Sequence, residues 1–394
     1  MNAAPPRLTI VLPLRGRHLF TLRFLWHANK ARVPYRILIA DGMVHPLLAR
    51  ILENSRESFP RLDIEYVRYP DDTDFRRFYA KMSDAVARVR TPYAMLVDND
   101  DFLSPGGIDA AVAYLDANSD YVCASGRVAG FSAYSGLDNP SAGVRGRLDR
   151  LCAYFPSEDV TSSSAADRVR QAALELWIYY SVIRTDALAT VQRELAELDF
   201  SDLQIHEAFH VMRVLTLGKA RADQSTVSYL RQYGTSLNLS FKKDWVHHLV
   251  RSRFTNDVQA LVERISGAAA KADAADAADA SMIAEDVRII LERKFRQFVW
   301  ASYGNFQKLK WLLRARVPRL VRWLQNRPRF NVRRGRAVLL SELKAAGASN
   351  AYLSAFRSDL ALIEDVLGGD EFARYLEPYL LELGADDRDI ATRT

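Results

Sequence analysis

Tyr93-Ala94-Met95-Leu96-Val97-Asp98-Asn99-Asp100-Asp101-Phe102 is the stretch on which the reading of this chain turns. Five residues with buried character run into a cluster of carboxylates. Thr91-Pro92 stands directly before them. A short apolar run bounded by turn residues has the pattern of a buried strand. Like charges packed at its end are costly unless a cation or water offsets them. Aspartates in such a place hold Mg2+ or Mn2+ when a diphosphate supplies further oxygens. A solvated acidic turn is the plainer alternative.

The sequence before this stretch repeats one theme. Residues 8–14 read as a buried strand and residues 18–32 as a helix with Leu19, Leu22, Phe24, Leu25 and Ala28 spaced along it. Residues 35–40 read as a second strand stopped by Asp41-Gly42. A helix over 46–58, a strand over 62–69 and a helix over 75–89 follow. Short apolar strands alternating with amphipathic helices predict an α/β fold with a mostly parallel sheet and helices on both faces. Such sheets bind ligands beyond the carboxyl ends of their strands. Pro13-Leu14-Arg15, Asp41-Gly42 and Asp98 to Asp101 all fall at such ends, so distant segments point at one crevice. Further on, helices are expected over 108–118, 186–198 and 202–217, and strands over 121–131 and 177–183. Residues 132–146, rich in Ser, Gly, Asn and Pro, read as a loop.

Composition narrows the class. The chain has 394 residues, 49% of them apolar, enough for a large core and for two or three domains. Two cysteines, Cys123 and Cys152, are too few for a disulfide scaffold and suit a reducing compartment. No run reaches the ~18 apolar residues of a membrane span, and the first residues carry no export signal. The expected location is therefore cytoplasmic. Net charge is +6, a modest excess whose distribution matters more than its total.

Taken together, Thr9-Ile10-Val11-Leu12-Pro13, Ile37-Leu38-Ile39-Ala40-Asp41-Gly42 and Thr91 to Phe102 resemble a GT-A glycosyltransferase of the family 2 type. The resemblance covers about residues 7–235. It implies a GT-A, Rossmann-like domain over 1–240 that binds a nucleotide-sugar and catalyses transfer. It implies that Pro13, Leu14 and Arg15 line the base pocket and that Asp41 contacts base or ribose. Lys81 and Asn99 would face the donor, Asp98 would bind ribose or metal, and Asp100 would be the main ligand of Mn2+ or Mg2+ with Asp101 in support. Tyr229-Leu230-Arg231-Gln232-Tyr233 resembles an Arg/Gln element of related transferases, with Arg231 on the diphosphate.

An inverting transfer needs a carboxylate to deprotonate the acceptor. The segment from Phe200 to His210 resembles the region that carries it, although the usual Glu-Asp pair is absent. Glu207 is the first choice and Asp202 the second, with Ser201 as cap of the helix. The string His206-Glu207-Ala208-Phe209-His210 also matches the His-Glu-x-x-His pattern of zinc hydrolases, which stays open as a minor alternative. Trp177, Tyr179, Tyr180 and Arg184 are candidates for an acceptor platform, with core packing as the other reading.

The rest is expected to be mainly α-helical. A helical segment and an Ala/Asp-rich linker span 241–285, the low-complexity run falling at 267–281, where the composition favours helix or a flexible spacer. A helical region over 286–394 is first basic, then acidic. Residues 293–336 carry many Lys and Arg, no Asp or Glu, and interleaved aromatics. That composition suits an anionic membrane surface, here the inner face of the plasma membrane; a helical domain that packs its aromatics inside and an acidic partner such as the tail after Ser341 are the other readings. No recognisable nucleic-acid module is present. The expected partners are a nucleotide-sugar and a glycan, lipid-linked or protein acceptor, in the synthesis of bacterial surface polysaccharide or glycoconjugate. A non-catalytic glycan- or membrane-binding protein on the same fold is the alternative of a different class.

Overall fold

A computed structural model of the chain describes residues 6–70, 72–134, 143–153, 155, 157–172, 176–233, 253–303, 332–380 and 382–383. One 9-stranded sheet forms its centre. The strands are β1 (Leu8–Leu14), β2 (Arg36–Asp41), β3 (Asp63–Arg68), β4 (Tyr93–Leu96), β5 (Phe102–Leu103), β6 (Tyr121–Tyr134), β7 (Arg147–Ala153), β8 (Val182–Arg184) and β9 (Lys219–Gln232). Their order is β3-β2-β1-β4-β8-β6-β9-β5, with β7 paired to β6. β1, β2, β3, β4, β6 and β9 run one way, and β5, β7 and β8 run against them. The α/β architecture expected from the alternation is thus the one observed.

The chain steps outward from β1 through β2 to β3, then returns to place β4 on the other side of β1. The order reverses between β1 and β4, and crevices for ligands open at such points. β1 and β4 are buried on both faces, as continuous apolar strands require. β3 is the edge, and none of its residues is fully buried.

Helices cover both faces. They are α1 (His18–Ala31), α2 (Pro46–Glu53), α3 (Ser55–Ser58), α4 (Phe75–Ala87), α5 (Pro105–Ala117), α6 (Ala165–Ala172), α7 (Thr185–Leu198) and α8 (Leu203–Leu217). α4 packs on α7, α7 on α8 and α8 on α6. α1 and α5 instead share the C-terminal helix Asn350–Gly368.

One sequence expectation is overturned, and two points that the sequence left open are filled in. Residues 177–183 are not one strand: Leu176–Tyr180 is a 3-10 turn, and only Val182–Arg184 extends. Aromatic and β-branched content reports burial as much as backbone shape, and Trp177 and Ile178 are wholly buried without joining the sheet. Second, the Ala/Asp-rich run is folded into helices Arg253–Asp273 and Ala277–Tyr303, which pack on each other and on α6. Asp273 accepts from the backbone of Ala165 at 2.6 Å and Ala166 at 3.0 Å, capping α6. Third, the C-terminal helices pack against the sheet and its helices. Tyr352 Oη accepts from Val227 N at 2.7 Å, Ser104 Oγ donates to Asp359 at 2.7 Å, and Trp26 of α1 lies against Phe372 and Tyr375. One continuous core joins these helices to the sheet.

No helix among the described residues is long and apolar enough to cross a membrane. Most of the basic 293–336 region, and with it the expected membrane contact, lies outside the described residues.

Candidate active site

The residues after β4 close into a tight group. Asp98, Asp100 and Asp101 each offer a carboxylate oxygen within 4.8 Å of the others, and Asp100 and Asp101 are buried. Tyr229, wholly buried on β9, accepts from Asp98 N at 3.0 Å and fixes the start of the loop. Asp101 Oδ1 accepts from Gln232 N at 2.7 Å. Asn99 donates to Arg17 O and to Thr21 Oγ1, both at 3.0 Å. These bonds tie the loop to β9 on one side and to the start of α1 on the other. Asn99 therefore anchors the loop, and its amide hydrogens are not directed to a donor.

Burial, followed by mutual repulsion, pushes the carboxyl groups of Asp98 and Asp101 above the usual carboxylate range, while Arg231 pulls both down. Asp101 Oδ2 is buried with no hydrogen-bond partner among the described residues. An orphaned oxygen of this kind is expensive. Hard carboxylate oxygens converging on one point, one of them unpartnered, fit Mg2+ or Mn2+. No other group of three His, Cys, Asp or Glu side chains converges in this way among the described residues.

Three arginines face the cluster. Arg17 Nη2 lies 2.7 Å from Asp100 Oδ2. Burial alone would lower its guanidinium, and the three aspartates outweigh that and raise it. Arg23, 0% exposed, donates to Asp100 O and, at 2.8 Å, to Gly143 O, and burial lowers it to about 9. Arg231 lies 5.0 Å over the Tyr180 ring, and Tyr180 Oη is 3.4 Å from Asp98 Oδ2. Sequence reasoning found Arg231 and missed Arg17 and Arg23. Arg17 had a signal, since it follows Gly16 directly after β1. Arg23 had none, because a helical arginine reads as surface charge.

The ends of β1 and β2 complete the crevice. Leu14 and Asp41 stand opposite each other in register. Leu14 O accepts from Gly42 N at 2.9 Å and from Lys81 Nζ at 3.0 Å. Lys81 is also paired with Asp72 in a buried salt bridge, and a Cβ at Gly42 would collide with that Asp72 carboxylate. Asp41 accepts from Met43 N at 3.0 Å and Tyr66 Oη at 2.7 Å. Arg15 is exposed and donates to Thr73 O at 3.0 Å; Pro13 is half-buried beside it. Asp72 was missed, although it follows β3 as the other acidic residues follow their strands. Its Oδ1 is buried with no hydrogen-bond partner among the described residues.

No family model matches the chain, and no curated protein matches it in sequence. Among solved structures it is similar to residues 1–349 of S. aureus TarS, at 11% identity over 93% of this chain and 91% of that one, with a TM-score of 0.46. The same fragment in complex with UDP-GlcNAc matches at 10% identity over 93% and 92%, TM-score 0.46. A mannosyltransferase, PcManGT from Pyrobaculum calidifontis, in complex with GDP-Man and Mn2+, matches at 11% identity over 76% and 84%, TM-score 0.39.

The remaining expected residues divide sharply. Glu207, half-buried on α8, lies within electrostatic reach of Asp98, Tyr179 and Tyr180. Asp202 is the N-cap of α8 and accepts from Gln204 N at 2.7 Å and Ile205 N at 3.3 Å. It takes the capping role expected of Ser201, whose hydroxyl instead donates to Asp257. Trp177 is 0% exposed and belongs to the core. Arg184 donates to Leu115 O at 2.7 Å, Asn118 O at 3.0 Å and Tyr121 O at 2.8 Å, closing the end of α5. Neither can form an acceptor platform. Tyr179 packs on His210, and Tyr180 faces Arg231.

The zinc alternative fails on geometry. His206 is 1% exposed and stacks on Tyr79 at 4.9 Å, and His210 is 0% exposed against Tyr179. Burial lowers both to about 3. They are core imidazoles, and no third ligand converges on them among the described residues.

Proposed function

We propose that the chain is a glycosyltransferase that takes a nucleotide-sugar at the crevice between the ends of β1, β2 and β4. The observation that carries this reading is the convergence of Asp98, Asp100 and Asp101 at the point where strand order reverses, with Asp101 Oδ2 left unpartnered. Pro13, Leu14, Arg15, Asp41, Asp72 and Lys81 surround the nucleoside. Asp98, Asp100 and Asp101 hold Mn2+ or Mg2+. When bound there, the ion supplies Lewis-acid stabilisation of the departing diphosphate.

The chain's own residues do the rest. Arg231, held over Tyr180, pairs with diphosphate oxygens. Tyr229 and Gln232 keep Asp98 and Asp101 in place before substrate arrives. Glu207 accepts the proton of the acceptor hydroxyl as its oxygen attacks the anomeric carbon. The bond from that carbon to the diphosphate breaks on the opposite side, so configuration inverts. The acceptor is a glycan, a lipid-linked sugar or a protein, and bacterial surface polysaccharide or glycoconjugate synthesis is the setting proposed for it.

The test is hydrolysis or transfer from a panel of nucleotide-sugars by purified protein with Mn2+. One donor is expected to turn over, and Asp100→Ala to abolish turnover. Glu207→Gln is expected to lower kcat by roughly 10²–10⁴-fold while leaving nucleotide affinity unchanged. Glycan binding that ignores nucleotide and metal, with no turnover, would replace this reading with a non-catalytic one.

A further inference from the structure

The turn between β1 and α1 carries a cation of its own. Gly16 and Arg17 are both left-handed, at φ 69° and 57°. Glycine adopts that shape freely, whereas an arginine does so only at a cost. Such strain persists where surrounding bonds over-determine it. Here Arg17 O accepts from Phe20 N at 3.1 Å, Thr21 N at 3.2 Å and Asn99 Nδ2 at 3.0 Å. The outcome is a guanidinium 2.7 Å from Asp100 Oδ2, 15% exposed and 4.5 Å over the Phe20 ring. The strained residue is thus the one that puts a fixed positive charge on a member of the converging carboxylate set.

We propose that Arg17 and a divalent cation compete for Asp100, so that the cation is taken up tightly only together with a nucleoside diphosphate. This rests on the nucleotide-sugar reading above. A guanidinium and a divalent ion sharing one carboxylate repel each other, and strongly where little water screens them. Asp98 and Asp101, whose Oδ2 is buried and unpartnered among the described residues, remain for the ion, but two carboxylates leave most of an octahedral ion's positions unfilled. A diphosphate changes the balance. It brings negative oxygens that satisfy the ion and also accept bidentately from a guanidinium, which frees Asp100. Arg17 then becomes a contact to the donor phosphates.

The experiment measures Mn2+ uptake by the full chain from the loss of the free-ion EPR signal, with and without UDP or GDP. Wild type is expected to bind Mn2+ at least tenfold more tightly when the preferred nucleotide is present. Arg17→Gly keeps the left-handed backbone and removes the charge. It is expected to bind Mn2+ alone at least tenfold more tightly than wild type and to lose most of the nucleotide effect. Arg17→Asn, a residue type that also tolerates this backbone, should behave alike, and Arg17→Lys should stay near wild type. Circular dichroism establishes that each variant folds. Equal Mn2+ affinity of wild type, Arg17→Gly and Arg17→Asn without nucleotide overturns the competition while leaving the donor reading intact. Failure of wild type to bind Mn2+ or either nucleotide, together or apart, overturns the donor reading and the competition with it.

Discussion

Lys81 and Asp72 show how much of this crevice is charge held out of water. Their side chains are 2% and 0% exposed. Burial lowers the Lys81 ammonium and Asp72 raises it again. Removing one member of such a pair leaves the other buried and uncompensated, at about 3–5 kcal/mol. Lys81→Met is therefore expected to destabilise the protein by that amount in urea unfolding. Lys81→Met combined with Asp72→Asn should recover part of the loss, because no charge is then stranded. If Lys81→Met unfolds at the wild-type midpoint, the two side chains are open to water and no buried charge is stranded.

At the scale of elements, α8 separates the two carboxylates that sequence alone leaves as rivals. Asp202 occupies its N-cap and satisfies two of its free amides. Glu207 lies one turn on, where its charge reaches Asp98. Asp202→Ala is expected to cost about 1 kcal/mol of stability and to leave transfer rates within a few-fold of wild type. Glu207→Gln should do the reverse. A thermal melt and a rate measurement on each variant check both arms, and a catalytically dead but fully stable Asp202→Ala would exchange the two roles. The strand-to-helix turn after β1 has a similar division of labour. The backbone carbonyl of Arg17 takes the first amides of α1 and its side chain meets Asp100.

Across the whole molecule, four imidazoles are buried among the described residues, His18 at the start of α1 being one of them. The other three, His27, His206 and His210, are 2%, 1% and 0% exposed. Burial holds each at about 3, below the ordinary 6.5. The unfolded chain binds these protons as pH falls below 6.5, and the folded chain does not until about pH 3. The stability they permit is complete above 6.5 and is lost progressively down to 3. With about 1.4 kcal/mol per pH unit for each group, the slope is roughly 4 kcal/mol per unit. For a domain of ordinary stability, about 5–15 kcal/mol, that slope puts the cooperative unfolding midpoint between about pH 5 and about pH 3. Urea titrations at a series of pH values measure the slope, and His206→Phe should reduce it by about a third. A flat profile from pH 6.5 to 4 would mean that these rings are open to water.

The α/β class, the alternating elements before residue 100 and the acidic strand end were all legible in the sequence. Short apolar runs, period-3.6 patterns and a carboxylate placed after an apolar run are written in neighbouring residues, so no contact is needed to see them. Partners were not legible. Asp202 as cap, Arg184 closing α5, Trp177 in the core and Asn99 as an anchor depend on which distant atoms each side chain meets. Nor was the fate of the buried arginines. A charged residue in a helix, as Arg23 is, looks the same on paper whether water or protein surrounds it, and for Arg17 the glycine before it marks a turn but not its partner; only the packed structure sets the desolvation and pairing that bring both to the cluster.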